Sequence, residues 1–277
     1  MSNGPQVNWL PDGRRLHLHH GPIDLIVDIW GKGRSTAFEA AVARFDGVLQ
    51  ELVDELPHLR KPFDRRREFD GVIARKMQKA VAPFAAEFVT PMAAVAGAVA
   101  DDIAAEIAGI ANVDKAYVNN GGDVALVLRK GQSLRMDVGA GVAQCDVGAE
   151  MPVRGVATSG WRGRSLSLGI ADAVTVLAAD AATADAAATM ICNQVNLPNH
   201  PAVSQRAASE MQDDSDLGAR QVTCAVGELR PAECAQAITK GREMAENLCS
   251  LGIITGAMIC LQGHTEVCGM STFLAKS

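Results

Sequence analysis

Two stretches of the chain, VATSG at 156–160 and TADAAAT at 183–189, set hydroxyls and one carboxylate among alanines and glycines. If residues 183–195 are helical, Asp185 and Thr189 stand four apart, so their oxygens share one face about one turn apart. A hard cation such as Mg²⁺ asks for that combination, a carboxylate with neutral oxygens, and leaves positions for water and a substrate phosphate. The start of the same helix would offer free amides to an anion. The plain alternative is an acid that complements the helix dipole, with alanines chosen for packing.

NNGGD at 119–123 puts paired glycines between two strand-like segments. Gly121 and Gly122 can take positive φ and expose amides to a phosphate or carbonyl edge, but the same letters make a hairpin turn. Asn120 enters that turn, and Asp123 leaves it with a carboxylate that a turn does not need. In VATSG, Thr158, Ser159 and Gly160 end a strand with donors that could hold a phosphate or the polar edge of a flat ring, or simply close a hydroxyl turn. Asp172 heads the next strand between the two polar clusters and is the candidate for acid–base work. His17, His19 and His20 cluster on one expected strand, yet no further ligand stands at a metal-motif spacing. Cys192 reads as a small core residue inside its helix. GRSLSLG (163–169) and SDLG (215–218) are candidate loops without a Ser-His-Asp grouping that spacing reveals.

The elements that must carry these residues follow from period and punctuation. Residues 14–30 alternate about a Gly-Pro turn and predict a hairpin. Apolar residues recur at helical spacing from Ser35 until Pro57 stops them, and 72–87 reads as a helix broken at Pro83. TPMAAVAGAVADDIAAEIAG (90–109) opens with a Thr cap and Pro at the first helical position and predicts a tightly packed internal helix. Strands are expected at 115–119, 123–130, 133–138, 142–147, 154–159 and 172–180. The helix 182–196, with Thr183 in the capping position, is expected to end before Pro198 and Pro201. A strand within 213–229, a helix over 231–252 and a final strand over 253–263 complete the reading. Strands in adjacent runs beside long helices predict an α+β fold with mainly antiparallel pairing. No internal repeat is evident, and one compact domain over 1–277 is favoured.

Composition narrows the partners. With 277 residues, 48% of them apolar and 21% charged, the chain can bury a core, and it has no apolar run long enough for a membrane span. A net charge of −6 and a single Tyr give little basis for nucleic-acid binding, and RKPFDRRREFD (60–70) reads as a solvated loop. Seven cysteines without CxxC spacing, and a start without the pattern of a secretory signal, point to a reducing cytoplasm. The oligomeric state stays open, a homo-oligomer included.

The order NNGGD, GVATSG, DAVTV, TADAAAT resembles the ApbE-like superfamily, whose best-known members are magnesium-dependent FAD:protein FMN transferases. The resemblance is strongest over about 85–195 and is to a branch of uncharacterised ApbE-like proteins. It implies a single T-fold-like α+β domain. It also implies Asp185 and Thr189 as metal ligands with a backbone carbonyl near Ala93 as a third. Asn120, Gly121, Gly122, Asp123, Thr158, Ser159 and Gly160 would line a pocket for a flavin nucleotide or a related ligand. Two parts of the transferase pattern are missing. WRGRSLSLGIAD stands where the transferases carry a His and an Asp-Pro-Arg-Thr-Gly run, and Ala96 stands in place of their helix lysine.

The sequence therefore points to a cytoplasmic ApbE-like enzyme that binds a phosphorylated or nucleotide-like small molecule with a divalent cation, of unassigned reaction. Two alternatives stay open: an FAD-dependent flavin (FMN) transferase, and a non-catalytic flavin or ligand-binding subunit in redox or sulfur metabolism. All three expect Asp123, Thr158 and Asp185 to converge on one bound anion.

Overall fold

A computed structural model of the chain describes residues 4–138, 141, 143–269 and 273–275. The expected strand at 142–147 has its first residue, Val142, outside them. The chain divides into two compact units, residues 1–134 with 147–157 and 178–185, and residues 135–146 with 158–177 and 186–277.

The first unit opens on a short strand with every residue exposed, β1 (Gln6–Trp9). The hairpin β2 (Leu16–His20) and β3 (Ile23–Trp30) follows, turning at Gly21-Pro22 as the alternation predicts. Leu16, Leu18, Leu25 and Val27 lie on its buried face. Helix α1 (Arg34–Leu59) runs past Pro57 instead of stopping there. A proline inside a helix removes one backbone bond, and here the fully buried Leu59 anchors the final turn. Helix α2 (Val72–Val81) gives way at Pro83 to a 3-10 turn, Ala82–Phe84, where the sequence reading has a break. Thr90 and Pro91 open a second 3-10 turn, Pro91–Ala94, which runs directly into α3 (Val95–Ala108). Strands β4 (Lys115–Asn120) and β5 (Asp123–Leu128) close the unit as an antiparallel hairpin. The strand order is β1-β2-β3-β4-β5, followed by β8 (Gly155–Ser159), which pairs antiparallel with β5.

The second unit is also built of strands and helices. The end of β8 neighbours β9 (Ala173–Ala178), and helices α4 (Ala181–Gln194) and α6 (Pro231–Ser250) follow. The antiparallel hairpin β12 (Gly256–Leu261) and β13 (His264–Gly269) ends it, with order β8-β9-β12-β13. The second unit also holds the antiparallel pair β10 (Val203–Ala207) and β11 (Gln221–Val226), and the one-turn helix α5 (Ala208–Met211). A small sheet, β14-β7-β6, is made by β6 (Ser133–Val138), β7 (Ala143–Gly148) and β14 (Phe273–Ala275). The chain is α+β, and every strand pair whose register is defined is antiparallel. Among the described residues no helix is long and apolar enough to cross a membrane.

Candidate functional site

In the first unit the plain reading of NNGGD holds and the functional one gains a partner. Asn120 and Asp123 face each other across a two-residue hairpin turn, and Gly121 and Gly122 both take positive φ (67° and 120°), the geometry such turns demand of glycine. The buried Asn120 side chain donates to the carbonyl of Ala96 at 3.1 Å, which ties the hairpin to the first turn of α3. The same turn of α3 meets Asp185, whose Oδ2 accepts the Gly97 amide at 3.0 Å while the Ala96 amide also bonds the carboxylate. Burial and then the charge of Asp123 raise the Asp185 carboxyl well above the usual carboxylate range, and the two amides only partly offset that. Asp123 thus lies within electrostatic reach of Asp185. Ala93 lies in the 3-10 turn just before α3, and Thr189 follows Asp185 by one turn along α4.

The free amides expected at the start of α4 are absent. Ala181 and Ala182 donate to the two oxygens of Asp101 at 2.9 and 3.0 Å, and Thr183 donates to Asp180 Oδ1 at 2.7 Å. Asp180 is thus the cap, and Thr183 belongs to the first turn. An anion has no open amides there, because two carboxylates already occupy them. Asp101 is 8% exposed, has Lys76 Nζ at 3.5 Å, and is raised by burial with Lys76 pulling the other way. Adjacent Asp102 pairs with Arg44 at 2.7 Å. Gly97 lets α3 and α4 meet, since a Cβ there would lie 2.2 Å from the Ala181 carbonyl oxygen. Helix α4 itself ends at Gln194, ahead of both prolines.

In the second unit, Thr158 Oγ1 and the buried Thr175 Oγ1 share a hydrogen bond of 2.8 Å. Ser159 and Ser167 bond the thiol of Cys192, and burial pushes that thiol up to about 11, which fits the core role expected of it. Gly160 sits where a Cβ would meet the Asp172 carbonyl oxygen at 2.2 Å. Asp172 Oδ1 accepts from Trp161 Nε1 at 3.2 Å and Arg162 Nε at 2.8 Å, and Oδ2 accepts the Gln262 amide at 2.6 Å. Three donors thus fix the Asp172 carboxylate in place. His17 pairs with Asp24 at 2.5 Å, and among the described residues no group of three or more His, Cys, Asp or Glu is arranged to hold a metal.

Asp101, Lys76 and Arg162 were not singled out by the motifs. A signal existed for the first, since two adjacent acids inside an Ala/Val/Ile helix must find partners when buried.

The chain is 42% identical over 145 residues to a UPF0280 protein of Methanopyrus kandleri, covering 51% of this chain and 56% of that one. A UPF0280 protein of Methanosphaerula palustris is 44% identical over 116 residues, 39% of this chain and 47% of its own. The chain thus spans about half the length of these curated relatives. Among solved structures it is similar in fold to the Pseudomonas stutzeri flavinyl transferase ApbE in its apo form. The TM-score is 0.50 at 12% identity, over 96% of this chain and 95% of that one. The model of the family described as AbpE bacteria matches residues 7–267, and the chain belongs to that family.

Proposed function

We propose that this protein is an enzyme that binds a phosphorylated or nucleotide-like small molecule together with a divalent cation at Asp185. The observation that carries the reading is the Asp123/Asp185 pair, two carboxylates within each other's field, with Asp185 raised first by burial and then by that proximity. A cation relieves such repulsion, and the proposed donor types, a carboxylate with a hydroxyl (Thr189) and a backbone carbonyl (Ala93), would suit Mg²⁺ better than a soft metal. A bound divalent cation supplies charge neutralisation to a phosphate-bearing ligand. The chain's own residues do the rest. Asn120 fixes the hairpin against α3, and the amides of Ala96 and Gly97 orient Asp185. Asp172, fixed by its three donors, is the acid–base residue of the proposal. All seven cysteines are free thiols, which supports a reducing cytoplasm as the working compartment.

Native mass spectrometry of the purified protein tests the reading. A retained phosphate-bearing small molecule, lost in Asp185→Asn, is expected. A wild type that retains and binds none, with or without Mg²⁺, contradicts it. A second reading, transfer of FMN from FAD to a protein, is favoured by the fold shared with a flavinyl transferase. It expects a flavin adduct on an acceptor protein when the pure enzyme is given FAD and Mg²⁺. Ligand binding with no turnover of any phosphate ester would instead favour a non-catalytic flavin or ligand-binding subunit.

A further inference from the structure

The connection 160–172 between β8 and β9 carries two arginines that the cation at Asp185 leaves unused. From residue 151 to 171 the chain holds Arg154, Arg162 and Arg164 and no Asp or Glu, in a protein of net charge −6. Arg154 is spent on the carbonyls of Ala149, Met151 and Val153. Arg162 is held from two sides. Its Nε meets Asp172 at 2.8 Å, and its guanidinium carbon stands 4.5 Å from the centroid of the Trp161 ring. That ring is itself fixed, because Trp161 Nε1 donates to the same oxygen of Asp172 and the Trp161 amide donates to Ala171 at 3.1 Å. The other Asp172 oxygen takes the Gln262 amide, so the anchor is anchored in turn.

The terminal nitrogens of Arg162 and the whole guanidinium of Arg164 have no partner among the described residues. Arg162 nevertheless has a side chain 59% exposed. Freezing a long exposed side chain costs rotamer entropy, and a solvent-exposed ion pair does not recover it. Stability alone therefore gives no account of the arrangement, whereas preorganisation for a ligand does.

We propose that Arg162, oriented by Asp172 and Trp161 and joined by Arg164, binds the phosphoryl group of a small-molecule ligand. The planar fork of a guanidinium matches phosphate oxygens in a bidentate manner, and two cations suit a dianion better than a single carboxylate. In this role Asp172 is a positioning residue, acting through Arg162. The site goes beyond the cation reading and does not require Asp185.

The test is titration of the intact protein with inorganic pyrophosphate in metal-free buffer, followed by calorimetry and tryptophan fluorescence. Saturable binding is expected, with a fluorescence change that Trp161→Phe removes. Arg162→Ala should weaken binding about 10-fold or more, the scale of a lost charge-assisted contact. Arg162→Lys should not restore it, because the fork is gone. Asp172→Asn should fall between wild type and Arg162→Ala. Arg230→Ala, which removes an exposed arginine held by Glu233 on α6, should bind as wild type does. Absence of pyrophosphate binding, equal affinity of wild type and Arg162→Ala, or equal loss in Arg162→Ala and Arg230→Ala would overturn the proposal. Asp172→Asn binding as tightly as wild type would remove Asp172 from it. With no divalent metal in the assay, these failures are separate from failure of the Asp185 reading.

Discussion

Asp101 and Asp185 do the same backbone work in opposite directions. Asp101, on α3, accepts the first amides of α4, and Asp185, on α4, accepts the first amides of α3. Gly97 allows the two helix starts to approach closely enough for both bonds. Burial raises both carboxyls. What separates them is the sign of the nearest charge. Asp101 has Lys76 at 3.5 Å to offset its burial, and Asp185 has Asp123 to aggravate it. A buried acid with its own cation belongs to the framework, and one set against another acid is the candidate proposed for a cation from outside.

The largest expected effect comes from Gly97→Ala, which strikes both bonds at once. Its Cβ would stand 2.2 Å from a backbone oxygen that cannot swing away. A loss of more than about 3 kcal/mol is expected by urea denaturation. Asp101→Ala leaves the two buried amides of Ala181 and Ala182 without an acceptor. About 2–4 kcal/mol of destabilisation should result, again read by denaturation. A value within error of wild type would break the comparison.

Asp185→Asn should do the opposite. An acid whose folded pKa is raised binds its proton more tightly folded than unfolded. Its contribution is therefore most favourable below the ordinary value of 3.8 and erodes as pH rises toward the folded pKa. Asparagine escapes that erosion and can still accept the Gly97 amide. In metal-free buffer at pH 7 the variant should be more stable than wild type by about 1 kcal/mol, and the gain should vanish near pH 3. Thermal denaturation across that range checks the sign. The smallest effect concerns a buried group with no charge to lose. Cys192, pushed up to about 11, should resist thiol reagents at pH 8 in the folded protein, whereas half-buried Cys224 should label.

Much of the fold was legible because its signals are local. The Gly-Pro turn, the Asn-Gly-Gly hairpin and the Pro at the start of α6 each fix geometry within a few residues. Strands β1, β10 and β13 were missed because QVNW, VSQRA and HTEVCG are largely exposed and lack an apolar alternation to reveal them. At the candidate site, Asp185 and Asp123 could be named from motifs. The occupied amides of α4 could not, since their acceptor Asp101 lies eighty residues away in the chain. Arg162 escaped notice because no motif marks it, its orientation being set in the folded loop by Asp172 and Trp161 together.

The most direct test of the cation assignment is the thermal midpoint of wild type and Asp185→Asn, each titrated with Mg²⁺ at pH 7. Mass action raises the midpoint only where the folded state binds the ion. A rise in wild type that is absent from Asp185→Asn is expected. Equal shifts in both proteins, or none in wild type, would contradict a cation at Asp185.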